Sequence, residues 1–200
     1  VKITYHKDTL KDKFYYGTRT AKVTVTDANF DEHCEINFDF GTENAKPRIG
    51  KWRQEGTDSI CEISFQKDGE YHFQFSCKDK AGNLSKTIDG GSFAIDTTKP
   101  EISVTFDNNN VKNENYYNAS RTATITIIEK AFSEQLVQIE ALDTLEVDKL
   151  PSVSKWKTNG ECHTATINFT KEGVYGFQIA CKDLAGNTAK DYVSTFFCDR

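Results

Sequence analysis

The fold is decided by the stretch GEYHFQFSCKDKAGN at residues 69–83, which returns as GVYGFQIACKDLAGN at residues 173–187. In both stretches apolar residues alternate with polar ones, the period of two that is typical of a β-strand with one buried face. The alternating positions are Tyr71, Phe73, Phe75 and Cys77 in the first copy and Tyr175, Phe177, Ile179 and Cys181 in the second. The Ala-Gly-Asn that ends each stretch favours a tight turn. The chain therefore contains one unit twice, each with a central strand that leads into a turn.

Further alternating segments surround this strand in both copies. A Gly-x-Tyr at the start of the central strand is typical of the tyrosine corner of Ig-like sandwiches. Short alternating strands separated by turn residues predict an all-β fold of two tandem immunoglobulin-like β-sandwiches. We place domain 1 at residues 1–96 and domain 2 at residues 97–200. A second predicted strand buries Ala21, Val23 and Val25 in the first copy and Ala123, Ile125 and Ile127 in the second.

One segment competes with the all-β interpretation. Residues Ser133 to Lys149 are rich in Glu, Leu, Gln and Ala, which favour a helix. The matching segment of the first copy, Cys34 to Phe40, alternates as a strand. We therefore expect a strand in the second copy as well.

The charge of the chain argues against two classes of partner. The 200 residues carry a formal net charge of −5, and Lys and Arg are scattered rather than clustered. Nucleic acids and anionic lipids call for clustered positive charge. No apolar run of about 18 residues is present, so we expect no membrane insertion. No leader-like segment opens the chain, and we interpret it as an excised mature segment.

Several motifs recur in the same order in both copies. They are Arg-Thr-Ala at 19–21 and 121–123, Trp52 and Trp156, the Gly-x-Tyr corners and the Asp-x-Ala-Gly-Asn turns, and a junction Ile-Asp-Thr-Thr-Lys-Pro at 95–100 joins the two copies. With these motifs the chain resembles the tandem bacterial Ig-like repeats of Gram-positive, clostridial-type cell-surface proteins. The resemblance implies an extracellular location, at the cell surface or secreted, and neighbouring repeats in the same chain. It also implies a stalk, an adhesive module or a binder of host proteins, including immunoglobulin.

The six cysteines fall three to each copy, without the Cys-x-x-Cys or His-Glu-x-x-His spacing of zinc sites. We predict disulfides Cys61–Cys77 and Cys162–Cys181, since antiparallel strands bring each pair to the same end of its sandwich. Cys34 and Cys198 are left over, and Cys34 is an alternative partner for Cys77. Such bridges indicate an oxidising, extracellular setting. The alternative is that all six cysteines are small buried hydrophobic residues.

Nucleophilic catalysis has no support in the sequence. His33 and Cys34 are neighbours, as are Cys162 and His163. Adjacent residues on a strand point to opposite faces, so neither pair forms a catalytic dyad. We therefore expect a non-enzymatic protein.

Two tyrosine pairs, Tyr15-Tyr16 and Tyr116-Tyr117, are candidates for partner contact. Adjacent tyrosines on a strand cannot both face inward, so one of each pair is expected to be exposed, and exposed tyrosines are favoured at interfaces. The alternative is a tyrosine lid over the loop end of the sandwich. Because His163, Phe197 and residues 140–150 are peculiar to the second copy, binding of a host protein is favoured over a passive spacer.

Calcium is the only cofactor that the sequence suggests. In an Ig-like sandwich the linker lies beside the end of the second strand and the Asp-x-Ala-Gly-Asn turn. Asp96, Glu129, Asp183 and Asn187 would then supply three carboxylates and an amide oxygen, which are ligands that Ca²⁺ prefers. The alternative is that Asp183, like Asp79, accepts hydrogen bonds from the backbone of its own turn.

Overall fold

The computed structural model describes residues 1–6, 15–32, 36–40, 46–108, 111–142 and 149–199. The chain folds into two compact units, Val1–Thr98 and Lys99–Arg200. The boundary that we placed after Asp96 lies two residues before this division. No helix of the described residues is long and apolar enough to cross a membrane.

The first unit consists of two sheets. One sheet has the order β1-β3-β7-β5, with β6 also paired to β7, and the other has the order β2-β9-β8-β4. Neighbouring strands are antiparallel except for β2 and β9, which run parallel. The strands are β1 Lys2–His6, β2 Tyr15–Tyr16, β3 Arg19–Thr26, β4 Ile36–Phe40, β5 Arg48–Ile49, β6 Arg53–Glu55, β7 Asp58–Phe65, β8 Gly69–Phe75 and β9 Ile88–Ile95.

The second unit repeats this architecture. Its sheets have the orders β10-β13-β16-β15 and β11-β12-β18-β17-β14, and β12 runs parallel to β18. The strands are β10 Glu101–Phe106, β11 Val111–Asn113, β12 Tyr116–Tyr117, β13 Arg121–Ile128, β14 Val137–Ala141, β15 Lys157–Asn159, β16 Cys162–Phe169, β17 Gly173–Cys181 and β18 Tyr192–Cys198.

Each unit has one core, to which both of its sheets contribute. In the first unit the alternating residues of β3 and β8 meet there, and Val23, Phe73 and Phe75 are at most 1% exposed. In the second unit Ile125 of β13 and Phe177 of β17 are fully buried in the same way. The predicted all-β, sandwich-like packing of alternating strands is therefore confirmed.

A tyrosine closes the corner between the two sheets of each unit. The Tyr71 hydroxyl donates to the carbonyl oxygen of Lys67 at 2.6 Å, and the Tyr175 hydroxyl donates to that of Lys171 at 3.2 Å. Each phenol fixes the loop through which the chain passes from one sheet to the other. The corner predicted from Gly-x-Tyr is present in both copies.

The segment after Ser133 forms a strand rather than a long helix. A single 3-10 turn, Glu134–Leu136, precedes β14, which pairs with β17 over its whole length. The alternation of Val137, Ile139 and Ala141 therefore outweighs the helix-favouring composition. Residues 143–148, which belong to the same predicted segment, lie outside the described residues.

Candidate functional site

A stacked aromatic pair, one ring exposed and the other half-buried, lies on the second unit, where β12 runs beside β18. Tyr116 is opposite Phe197 in the parallel register, and the two rings stack with centroids 4.4 Å apart and planes 9° apart. Tyr116 is 42% exposed. Its neighbour Tyr117 points the other way, against the core residue Phe196. Of this tyrosine pair, one member is therefore exposed and the other packs inward.

The outward side chains of β18 extend this surface. Phe197, Thr195 and Val193 alternate along one face of the strand, and Val193 is 57% exposed. We call Tyr116, Phe197, Thr195 and Val193 the β18 face. The four side chains carry no charge, so this face can be covered without removing an ionised group from water.

The aromatic pair belongs to the second copy only. The register places Gly69 opposite Ile95 and Gly173 opposite Cys198, so that Ala94 of the first unit is the counterpart of Phe197. Ala94 is buried and is paired with Tyr15. The side chains of Tyr15 and Tyr16 lie outside the described residues, and their predicted role in binding stays a prediction.

The four predicted calcium ligands are divided between the two units. Asp96, in the first unit, accepts a hydrogen bond from the Thr98 backbone N–H at 3.1 Å. In the second unit a carboxylate oxygen of Glu129 lies within 4.8 Å of one of Asp183, and both residues are buried. The second unit alone thus brings together two of the three carboxylates, and calcium stays a prediction.

The Asp-x-Ala-Gly-Asn turns are held by their own aspartates. Asp183 accepts the backbone N–H of Asn187 at 2.7 Å and the Asn187 side-chain amide at 2.8 Å. Asp79 accepts the same two groups of Asn83 at 2.8 and 2.7 Å. The alternative role of these aspartates, as acceptors within their turns, is therefore present in both copies.

Neither predicted disulfide is formed, because the five described cysteines are free thiols. Cys162 is opposite Ile128, which is 43% exposed, so Cys162 faces away from the core that contains Cys181. In the first unit the Cys61 thiol lies 3.3 Å from the Gly50 carbonyl oxygen. Cys34, the alternative partner of Cys77, lies outside the described residues. The predicted disulfides therefore give no support for an oxidising compartment.

Burial, with a contribution from the acidic pair, raises the pKa of a neighbouring cysteine. Burial, followed by the negative charges of Glu129 and Asp183, raises the pKa of the Cys181 thiol to about 11. Since the thiolate is the nucleophilic form, this thiol is unreactive near neutral pH. Cys181 is therefore a core residue rather than a reactive group.

His163 takes the inward position next to Cys162 on β16. It is 6% exposed, while Cys162 is half-buried on the opposite face. The separation of this His-Cys pair by strand alternation is as predicted. His33 and Cys34 lie outside the described residues.

Sequence reasoning missed one cavity, which lies in the first unit beside Phe30 and Trp52. The signal that could have found it is the alignment of the copies, in which Ser59 stands where the second copy has His163. That difference changes the volume of a buried side chain at a position whose surroundings recur in both copies.

Comparisons with known proteins give only weak structural likenesses. No protein-family model and no curated protein match the chain. Yersinia pseudotuberculosis InvD is similar at 16% identity and a TM-score of 0.37, over 90% of this chain and 52% of that chain. A marsupial T cell receptor is 10% identical with a TM-score of 0.30, over 100% and 96%. Domains 5–6 of the S-layer protein SbsC are 12% identical with a TM-score of 0.26, over 100% and 98%. The chain thus spans about half the length of the InvD chain.

Proposed function

We propose that this chain is a non-enzymatic interaction module built from two Ig-like domains of a bacterial cell-surface or secreted protein. In this proposal the β18 face of the second domain binds an extracellular host protein. The observation that carries the proposal is the stacked pair Tyr116 and Phe197, in which Tyr116 is 42% exposed and Phe197 is half-buried. Location and partner class rest on the resemblance of the repeated motifs to Gram-positive surface repeats.

The chemistry of the β18 face suits a protein partner. Tyrosine and phenylalanine are enriched at the centres of interfaces, where they bury a large area with few rotatable bonds. Because the two rings already stack on each other, little side-chain freedom is lost when a partner covers them. Val193 adds a further exposed apolar group on the same strand.

The difference between the copies also supports binding. A passive spacer requires only that each copy keep its core, its tyrosine corner and its turns, and these features occur in both units. The aromatic pair has no such counterpart, since Ala94 replaces Phe197 in the first unit. A spacer with neighbouring repeats on either side remains the alternative function.

A capture experiment tests the proposal. The immobilised chain is exposed to human serum and mucosal proteins, with purified immunoglobulin G as a separate sample. We expect wild-type protein to retain a partner that the Phe197→Ser variant releases. Ile49→Ser is the matched control, because Ile49 is an exposed apolar residue of the first unit at 47% exposure. Equal retention by all three proteins, or by none, contradicts binding through the β18 face and favours the spacer.

Calcium is proposed as a stabilising ion of the same module. Two buried carboxylates, those of Glu129 and Asp183, repel each other when both are ionised, and a divalent cation offsets this repulsion. We expect the melting temperature to rise with millimolar Ca²⁺ and to fall with chelator. The rise should be lost in Asp183→Asn but kept in Asp79→Asn. An unchanged melting temperature in wild-type protein contradicts the proposal.

A further inference from the structure

A cavity of about 460 Å³ opens beside an aromatic pair in the first unit. Phe30 and Trp52 form one wall, with ring centroids 4.7 Å apart and planes inclined by 62°. Ser59, which is 5% exposed, and Gln54 supply polar groups, and the Ser59 hydroxyl donates to Gln54 Oε1 at 2.9 Å. The remaining lining residues are charged: Asp31, Glu32, Arg53 and Lys80. The cavity therefore combines an aromatic wall with hydrogen-bonding and charged groups.

The second unit has an equivalent position on its β16 strand, where histidine replaces serine. Ser59 is opposite Val25 on β3 and Gln54 on β6. His163 occupies the equivalent register, opposite Ile127 on β13 and Thr158 on β15. The aromatic wall is also repeated, since the Phe132 and Trp156 centroids are 5.3 Å apart with planes inclined by 58°.

In the second unit the imidazole of His163 occupies this place. Its ring stacks on Phe132, with centroids 3.9 Å apart and planes 12° apart. His163 Nε2 donates to the Glu129 carbonyl oxygen at 2.8 Å, since a carbonyl oxygen can only accept. Nδ1 of the same ring lies 2.9 Å from the Thr158 hydroxyl, within hydrogen-bond distance. One copy of the unit thus shows how a small nitrogen-containing ring fits against this wall.

We infer that the cavity beside Phe30 and Trp52 is a binding site for a planar, nitrogen-containing ring of imidazole size. Serine in place of histidine removes the ring and leaves the aromatic wall in a similar arrangement, with the two ring centroids 4.7 Å apart rather than 5.3 Å. A bound ring stacks on Phe30 and forms hydrogen bonds with the side chains of Ser59 and Gln54. The ring comes either from a histidine side chain of a protein partner or from a free heterocycle, because both present the same chemistry. This site is separate from the β18 face and does not depend on its proposed function.

The test follows the indole N–H signals of Trp52 and Trp156 in the untagged, ¹⁵N-labelled chain during titration with imidazole. The titration is done at pH 8, where the ring is mostly neutral. We expect a saturable shift of the Trp52 signal, with a dissociation constant on the order of 1 mM for so small a ligand. The Trp156 signal should stay in place, because His163 already fills the equivalent position. Trp52→Phe identifies the two signals.

Exchange of the two residues supplies matched variants. Ser59→His should place its own ring against Phe30, where imidazole would stack, and so weaken imidazole binding at least tenfold. His163→Ser should open the second cavity, so that the Trp156 signal begins to respond. If the His163→Ser variant does not fold, imidazole binding by the Ser59→His variant tests the inference on its own. N-acetylhistidine methylamide is titrated as the second probe, and binding at least as tight as that of imidazole assigns the site to a protein side chain. Binding of imidazole alone assigns it to a free heterocycle.

Three results would overturn the inference. The first is no saturable shift of the Trp52 signal, and the second is unchanged binding by Ser59→His. The third is a response to methyl glucoside that exceeds the response to imidazole, which would indicate a saccharide site instead.

Discussion

At the scale of single residues, one hydroxyl group fixes each sheet-to-sheet corner. The Tyr71 hydroxyl donates to the Lys67 carbonyl oxygen, and the tyrosine side chain is 2% exposed. Tyr71→Phe keeps the ring and removes this bond. We expect a loss of about 1 kcal/mol in the free energy of unfolding. Urea denaturation measures it, with Tyr116→Phe as the exposed control, and equal stability of the two variants would contradict a structural role of the corner.

Free thiols lead to a second residue-scale prediction. Cys162 is half-buried, whereas Cys61, Cys77, Cys181 and Cys198 are buried. Under native conditions iodoacetamide should modify Cys162 first among these five, because burial blocks the other four. Peptide mass spectrometry without prior reduction measures the order. A Cys61–Cys77 or Cys162–Cys181 peptide in that map would contradict the free thiols.

Strand alternation explains both the success and the failure of prediction at this scale. It identified Tyr116 and Tyr117 as residues on opposite faces, and the core positions of β3 and β8, because those strands have an unbroken period of two. Alternation also sets the phase of β16, in which Ala165, Ile167 and Phe169 face inward, and this phase places Cys162 on the outward face. The predicted Cys162–Cys181 bridge did not take that phase into account. The cavity beside Phe30 and Trp52 was beyond the reach of alternation, since both residues of that wall lie outside the strands.

At the scale of elements, Asp68 fixes the segment that follows β9. Its Oδ1 accepts from the Thr97 backbone N–H at 2.8 Å and the Thr97 hydroxyl at 2.7 Å, and its Oδ2 accepts from the Thr98 hydroxyl at 2.6 Å. Partial burial tends to raise the pKa of Asp68, but the hydrogen bonds from Thr97 and Thr98 together outweigh it and lower the pKa. The corner between β7 and β8 therefore anchors the chain where the first unit ends.

This lowered pKa gives a pH dependence of stability. A carboxyl group with a lower pKa in the folded state stabilises the fold fully above its unfolded pKa, which is about 3.9 for Asp. The contribution is lost as the pH falls below that value through the folded pKa. We expect the urea midpoint of wild-type protein to fall more steeply than that of Asp68→Asn between about pH 5 and 2. Parallel pH curves would contradict the anchoring role. Asp58→Asn serves as the control, since it also lies on the first unit.

At the scale of the whole molecule, the repeated sequence predicted more of the architecture than of the function. Each core motif has a counterpart in the other copy. A pattern that occurs in both copies predicts the same strand or corner twice, and this made those elements predictable. The features on which the two proposals rest have no counterpart, such as Phe197 and the difference between Ser59 and His163. The sequence marks these positions as different, but only the packing of separate strands shows that Phe197 stacks on Tyr116 and that His163 fills a cavity.

Isothermal titration calorimetry of the captured partner tests the central claim, binding through the β18 face, most directly. The wild-type chain, Phe197→Ala and the control Ile49→Ala are titrated under the same conditions. Loss of a central aromatic contact costs about 2 kcal/mol or more at interface hot spots. We therefore predict that Phe197→Ala weakens binding about 30-fold or more, while Ile49→Ala binds like the wild type. Unchanged affinity of Phe197→Ala, in a variant whose melting temperature matches the wild type, would contradict the claim.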